Sequence, residues 1–219
     1  TQKAISELAK WENITMLDCA DGALACGTSG KGRMQEVDVI KNAIEYALTP
    51  KTLQGKNILI TAGPTHEAID PVRYISNAST GKMGLALTKS CLKRGANVTL
   101  VLGPTHLSTQ SWQAIAPLTI IPVVSSSEMC EQTISAFQHA DISILCAAVA
   151  DFTPTTAAKQ KIKKEPGQTS MTLELQTTTD IAATLGKQKR ADQTLVGFAL
   201  ETHNELTNAQ RKMQSKNLD

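Results

Sequence analysis

Ile60-Thr61-Ala62-Gly63-Pro64-Thr65-His66-Glu67, continued by Asp70-Pro71-Val72-Arg73-Tyr74-Ile75-Ser76-Asn77 and Ser79-Thr80-Gly81-Lys82-Met83-Gly84, sets a polar, Gly-rich connection between an apolar run and a helical run. An open α/β sheet holds a phosphate-bearing ligand at such a point, because strand ends and helix N-termini meet there and present backbone N–H groups. Arg73 offers charge, Asn77 amide hydrogen bonding, and Gly81-Lys82 lets backbone and an ammonium approach an anion. The stretch reads as nucleotide or phosphate chemistry.

Outward from it, short apolar runs alternate with helical ones. Strands are expected over 57–61, 98–103, 119–124, 142–148, 171–175 and 195–201, and helices over 81–94, 126–139, 180–186 and 204–216. Strand and helix taking turns predicts an α/β fold with a Rossmann-like, doubly wound, mostly parallel sheet. Residues 150–168 form the one long irregular connection, a length often used for functional lids. Upstream, Ile5, Leu8 and Trp11 suit a short amphipathic helix over 1–11, and Ile14-Thr15-Met16-Leu17 a brief strand. A Gly-rich loop follows, then a helix over 36–48 stopped by Thr49-Pro50. Residues 50–56 read as a linker.

Composition narrows the function. At 219 residues the chain fits two unequal pieces, on a prior of roughly 100 to 200 residues per domain. A net charge of +2 is too weak to make nucleic acid or an anionic membrane the main partner, and 3% aromatics disfavours binding single strands by stacked rings. The five cysteines, Cys19, Cys26, Cys91, Cys130 and Cys146, form no CxxC pair and no zinc-like grouping with the four histidines, so a reducing, cytoplasmic setting is expected. No apolar stretch approaches the roughly 20 residues that span a bilayer, and Thr1-Gln2-Lys3 does not open a signal peptide. The missing initiator Met and the ending Lys216-Asn217-Leu218-Asp219 lead us to expect a fragment at both ends.

Two nucleotide motifs are excluded. The Gly63 loop lacks GxGxxG, Pro64 donates no N–H, and the run 98–103 ends without the acidic residue that would hold a ribose diol. Ser76 stands where a P-loop needs its first Gly, and Met83 where it needs a magnesium-binding hydroxyl.

The opening motif, with Ala147-Ala148-Val149-Ala150-Asp151-Phe152, Lys161-Ile162-Lys163-Lys164 and Gly197-Phe198-Ala199-Leu200-Glu201-Thr202 following in order, resembles the ligase half of the bifunctional phosphopantothenoylcysteine decarboxylase/phosphopantothenate-cysteine ligases of coenzyme A biosynthesis. Ala25-Cys26-Gly27 with Gly30-Lys31-Gly32-Arg33-Met34 resembles the end of the decarboxylase half. The resemblance implies residues 1–49 as the C-terminal tail of a flavodoxin-like decarboxylase domain and 57–219 as a ligase domain truncated at its C-terminus.

It further implies the chemistry. The carboxylate of 4'-phosphopantothenate attacks the α-phosphate of CTP, giving an acyl-cytidylate and pyrophosphate, and the amine of cysteine then displaces CMP. Mg2+ is expected with the triphosphate, bound largely through phosphates. Asn77 is implied to contact the acyl-nucleotide and Lys161 to serve as a mobile lysine over it, beside Lys159, Lys163 and Lys164. Cys146, Ala147 and Asp151 are implied to form the base and ribose site. Thr179, Asp180, Ile181, Ala182, Phe198, Lys212 and Lys216 would supply further nucleotide contacts, although the chain has Thr178-Thr179 where the usual pattern has Asn-Pro. Cys26 is similar to the proton-donating cysteine of the flavin-dependent decarboxylase, whose FMN site would mostly precede Thr1. Dimeric ligase domains are implied as well.

Each residue also has a bland reading. Singly, Asn77 and Arg73 would be loop caps, the lysine run a solvated face, Phe198 a core residue, Lys212 and Lys216 the outer face of a helix, and Cys26 a small buried side chain. The rival function from another class is a noncatalytic α/β nucleotide- or flavin-binding module. It would keep the Gly63 loop but would not need Asn77 and Lys161 together.

Overall fold

The computed structural model describes residues 2–11, 14–24, 27–113 and 116–219. Its centre is a five-stranded parallel sheet of β3 (Asn57–Ala62), β6 (Asn97–Leu102), β7 (Leu118–Pro122), β8 (Ile142–Leu145) and β11 (Thr194–Gly197), in the order β11-β8-β3-β6-β7. The chain thus builds outward from β3 to one edge, crosses back, and continues from β8 to the other. The strand order reverses between β3 and β8, and that switch point opens a crevice at their carboxyl ends.

Helices cover both faces. α3 (Lys82–Lys93) follows β3, α5 (Ser126–Phe137) follows β7, and α6 (Ile181–Gln188) precedes β11. Alternate β3 residues feed opposite cores: Ile58 and Ile60 pack with Leu85, Leu92 and Leu100, while Leu59 packs with Met129, Phe137, Leu185 and Leu195. Phe137 is 1% exposed, worth about 2–3 kcal/mol of hydrophobic burial. α3 begins at Gly81, whose left-handed φ of 76° suits glycine. Three residues on, a Cβ at Gly84 would come within 2.4 Å of the Ala62 Cβ, so the bare glycine brings the helix close against β3. α5 starts with a capping box, Ser125 accepting from the Glu128 N–H and Glu128 from the Ser125 N–H.

The remaining elements are α1 (Gln2–Leu8), β1 (Ala20–Ala23), β2 (Ser29–Arg33), α2 (Val37–Leu48), β4 (His66–Asp70), β5 (Arg73–Ser76), α4 (Gln110–Gln113), β9 (Phe152–Pro154), β10 (Leu175–Thr177) and α7 (Glu205–Ser215). α2 docks on α3, with Glu45 bridged to Lys93 at 2.7 Å and Lys89 at 3.4 Å. Lys51 donates to the Tyr46 and Lys93 carbonyls near the C-terminal ends of both helices.

Local expectations needed correction. Residues 14–17 are irregular; the strands near them are the β1–β2 pair inside the expected Gly-rich loop, where the chain finds an antiparallel partner for its backbone groups. The expected connection after β3 contains the β4–β5 hairpin. Its buried positions are Glu67 and Asp70, so its pattern reads as polar loop. β9 lies within the expected irregular connection and pairs antiparallel with β10, which starts at Leu175, where the expected strand ends. β11 ends at Gly197; Phe198 and Leu200 beyond it are exposed. No helix among the described residues is long and apolar enough to cross a membrane.

Candidate functional site

The exits of β3 and β8 are stitched together at the switch point. Buried Thr61 accepts from the Ala147 N–H at 3.2 Å, and buried Thr65 from the Ala150 N–H at 3.0 Å. The Ala148 N–H donates to the Gly63 carbonyl at 2.9 Å, and the Cys146 N–H to the Thr61 carbonyl at 3.2 Å. These bonds hold the small-residue run 146–150 extended beyond β8, so that it forms a wall.

On one side of that wall lies a cleft of about 770 Å³. Ala147 and Asp151 line it from the β8 exit, Thr179, Asp180, Ile181 and Ala182 from the start of α6, Phe198 from the β11 exit, and Lys212 and Lys216 from α7. The other side is a hollow of about 490 Å³ bounded by 78–84, Ala86 and Cys146, at the N-terminus of α3. Burial raises the Cys146 thiol, which favours its neutral form. Consecutive residues Cys146 and Ala147 therefore serve different hollows.

The lysines of α7 are already partnered. Lys216 bridges Asp180 at 2.8 Å, while the other Asp180 oxygen caps α6 by accepting from the Ala183 N–H at 2.9 Å. Burial opposes the Asp180 charge, but the Lys216 ammonium and the Ala183 and Ala182 N–H groups hold its carboxyl below the ordinary value. Lys212 pairs with Glu201, which also accepts from Asn208 at 3.1 Å. Chiefly through Lys212, the Glu201 carboxyl too lies below its ordinary value. Glu201 went unassigned in the sequence reading, although an acid shortly before a lysine-bearing helix was a usable signal. Thr61 and Thr65 were also missed; isolated threonines in an apolar run carry no such signal.

The other expected residues are not brought into the large cleft. The Asn77 amide donates to the Val149 carbonyl at 2.9 Å and the Ala148 carbonyl at 3.3 Å, tying its loop to the wall. Lys161 is exposed and has no partner among the described residues. Arg73 reaches the backbone beside it, donating to the Ile162 carbonyl at 2.7 Å. Thr178, at the departure from the family pattern, donates from its hydroxyl to Ala150 at 2.7 Å and from its N–H to Asp151 at 2.9 Å. Cys26 lies outside the described residues. Among the described residues no three His, Cys, Asp or Glu side chains converge on a metal position.

Residues 53–219 match the DNA/pantothenate metabolism flavoprotein C-terminal domain. A protein from an unknown prokaryotic organism, named cysteine/cysteine sulfinic acid decarboxylase, is 48% identical over 209 residues, 93% of this chain and 56% of that protein. The coenzyme A biosynthesis bifunctional protein CoaBC of Bacillus subtilis is 46% identical over 211 residues, 95% of this chain and 50% of its own. The chain spans about half the length of the curated relatives it matches. The crystal structure of the C-terminal domain of coenzyme A biosynthesis bifunctional protein CoaBC aligns with a TM-score of 0.65 at 42% identity, over 77% of this chain and 76% of that one. The switch-point fold, the motif order and these likenesses agree, and the chain belongs to the DNA/pantothenate metabolism flavoprotein C-terminal domain family.

Proposed function

We propose that this chain carries CTP-dependent ligation of 4'-phosphopantothenate to cysteine through an acyl-cytidylate, within a bifunctional enzyme of coenzyme A biosynthesis that also decarboxylates 4'-phosphopantothenoylcysteine. The observation that carries the reading is the shared cleft: Ala147, Asp151, Asp180, Phe198, Lys212 and Lys216 line one crevice beside the strand-order reversal. A flat base fits along the small residues of the β8 exit, with Asp151 as acceptor for an amino group or a ribose hydroxyl. Lys212 and Lys216 supply charge for phosphates once these displace Glu201 and Asp180.

In this reading Asn77 keeps its shorter bond to Val149 and turns its weaker one toward the acyl-cytidylate. Lys161 swings over the reacting phosphate, stabilising charge and excluding water from the mixed anhydride. The residue chemistry fits a magnesium ion carried on triphosphate oxygens better than a protein cage. Cys26 would act as proton donor in the FMN-dependent decarboxylase reaction. The proposed division is 1–49 decarboxylase tail, 50–56 linker and 57–219 ligase domain, in a cytoplasmic homo-oligomer.

The test is pyrophosphate release from CTP with 4'-phosphopantothenate, followed by product formation on adding cysteine. Nucleotide binding without pyrophosphate release would instead favour a noncatalytic nucleotide-binding module.

A further inference from the structure

Asp70 is an acid at a position that ordinarily takes an apolar side chain. Its side chain is 0% exposed, yet its two oxygens have separate tasks. Oδ1 accepts from the Val72 and Arg73 N–H groups, each at 2.9 Å, and so closes the turn of the β4–β5 hairpin. Oδ2 leaves the hairpin and accepts from the Ile162 N–H at 3.1 Å. Arg73, with Nε 3.6 Å from Oδ2, donates through Nη2 to the carbonyl of that same Ile162 at 2.7 Å. The backbone next to Lys161 is thus gripped at both its N–H and its C=O by one acid–base pair. A third tie, from the Ala158 N–H to the Ile69 carbonyl at 2.9 Å, fixes the same connection to the same hairpin. Lys159, Lys161, Lys163 and Lys164 all remain exposed along it.

We propose that Asp70 is a positioning residue: with Arg73 it latches the lysine-bearing connection onto the hairpin and so sets where Lys161 stands. The importance of that position for catalysis rests on the ligase reading, whereas the latch itself does not. A buried carboxylate must be hydrogen-bonded, and among the described residues the hydrogen bond to its second oxygen comes from this connection, with the Arg73 guanidinium 3.6 Å away as its ion-pair partner. Alone, the hairpin therefore leaves that oxygen with an ion pair but no hydrogen bond, and the connection supplies one. Arg73, which offered charge for an anion in the sequence, spends its guanidinium on this backbone.

Asp70→Asn separates the tasks, because the amide oxygen still accepts from Val72 and Arg73 while the amide nitrogen faces the Ile162 N–H, donor against donor. Limited trypsin digestion of the full chain, read by mass spectrometry, compares cutting of the bond between Lys161 and Ile162 with that between Lys89 and Ser90 inside α3. The first N–H is the one Asp70 holds, and the second reports general loosening. We expect the ratio of first to second to rise about tenfold in Asp70→Asn. It should also rise in Arg73→Gln, which removes the grip on the carbonyl and carries the test if Asp70→Asn fails to fold. An unchanged ratio in the folded variants overturns the latch. A raised ratio with ligase kcat lowered and nucleotide KM near wild type supports both latch and lysine. A raised ratio with unchanged turnover supports the latch and overturns only the role of Lys161 in the reaction.

Discussion

Gly186 offers a test in which two physical effects predict opposite signs. It lies within α6, where exchanging glycine for alanine ordinarily gains about 1 kcal/mol of helix propensity. An alanine Cβ there, however, would stand 1.9 Å from the Lys216 carbonyl oxygen and 2.8 Å from its carbon. Ordinary contact begins at 3.4 Å, so α6 and the end of α7 would have to part by about 1.5 Å, and the obstacle is backbone that no rotamer change removes. Such overpacking costs about 1–3 kcal/mol. The parting also threatens the bond from the Asn217 amide to the Gly186 carbonyl at 2.9 Å, worth about 1 kcal/mol. The half-exposed Lys216–Asp180 pair at 2.8 Å adds at most about 1 kcal/mol. The steric effects win: Gly186→Ala should lose about 1–4 kcal/mol net, and Lys216 should leave its place on the cleft. Urea denaturation gives the stability, and calorimetric titration with CTP should give an affinity lower by about tenfold, corresponding to one displaced charge-assisted contact. A variant about 1 kcal/mol more stable than wild type, binding CTP equally well, would refute the packing argument.

Asn77→Asp sets a carboxylate against the Ala148 and Val149 carbonyl oxygens that the amide now serves, so it should cost about 1–3 kcal/mol in stability and impair acyl-cytidylate handling in the complete protein. Quenched reactions analysed by mass spectrometry should reveal altered intermediate levels; wild-type turnover would remove Asn77 from the reaction. Lys161→Gln should slow ligation on the order of a hundredfold with little change in melting temperature, while Lys164→Gln stays near wild type. Equal, near-wild-type rates would make both surface charge. Acid should act through Asp70: burial opposes its charge, but the Val72 and Ile162 N–H groups, the Arg73 charge and the Arg73 N–H hold its carboxyl below the ordinary value. Its contribution is therefore complete above the unfolded pKa of about 3.9 and is lost as pH falls through the lower folded value. Melting temperature should drop below about pH 4, less steeply in Asp70→Asn; an equal drop in both would clear Asp70 of that role.

The sheet was legible because β3, β6 and their helices obey local rules: Ile58 and Ile60 face one core, Leu59 the other, and α3 follows a glycine start. Motifs named Ala147, Asp151, Asp180, Phe198, Lys212 and Lys216 by resemblance, and the fold gathers these six along one crevice. The β4–β5 hairpin was not legible. Its inward residues are Glu67 and Asp70, which become tolerable only when Ser126 donates its N–H to Glu67 at 2.8 Å and Ile162 donates to Asp70 at 3.1 Å. Those donors lie far along the chain, and no periodicity announces them.

The same long-range logic changes what the α7 lysines mean. In the sequence, Lys212 and Lys216 read as nucleotide contacts implied by resemblance, or as the outer face of the last helix. In the fold each already holds a carboxylate that stays ionised at neutral pH. An entering anion therefore exchanges partners, and its gain is the difference between a phosphate contact and a partly solvated ion pair. The carboxylates it displaces must turn toward water or toward a cation arriving with the phosphates. Asp180 meets the first requirement at small cost, because one oxygen can go on capping α6 while the other lets Lys216 go. Glu201 is similarly retained by Asn208 when Lys212 leaves. The lysines can thus be handed to a ligand without dismantling the helices that carry them.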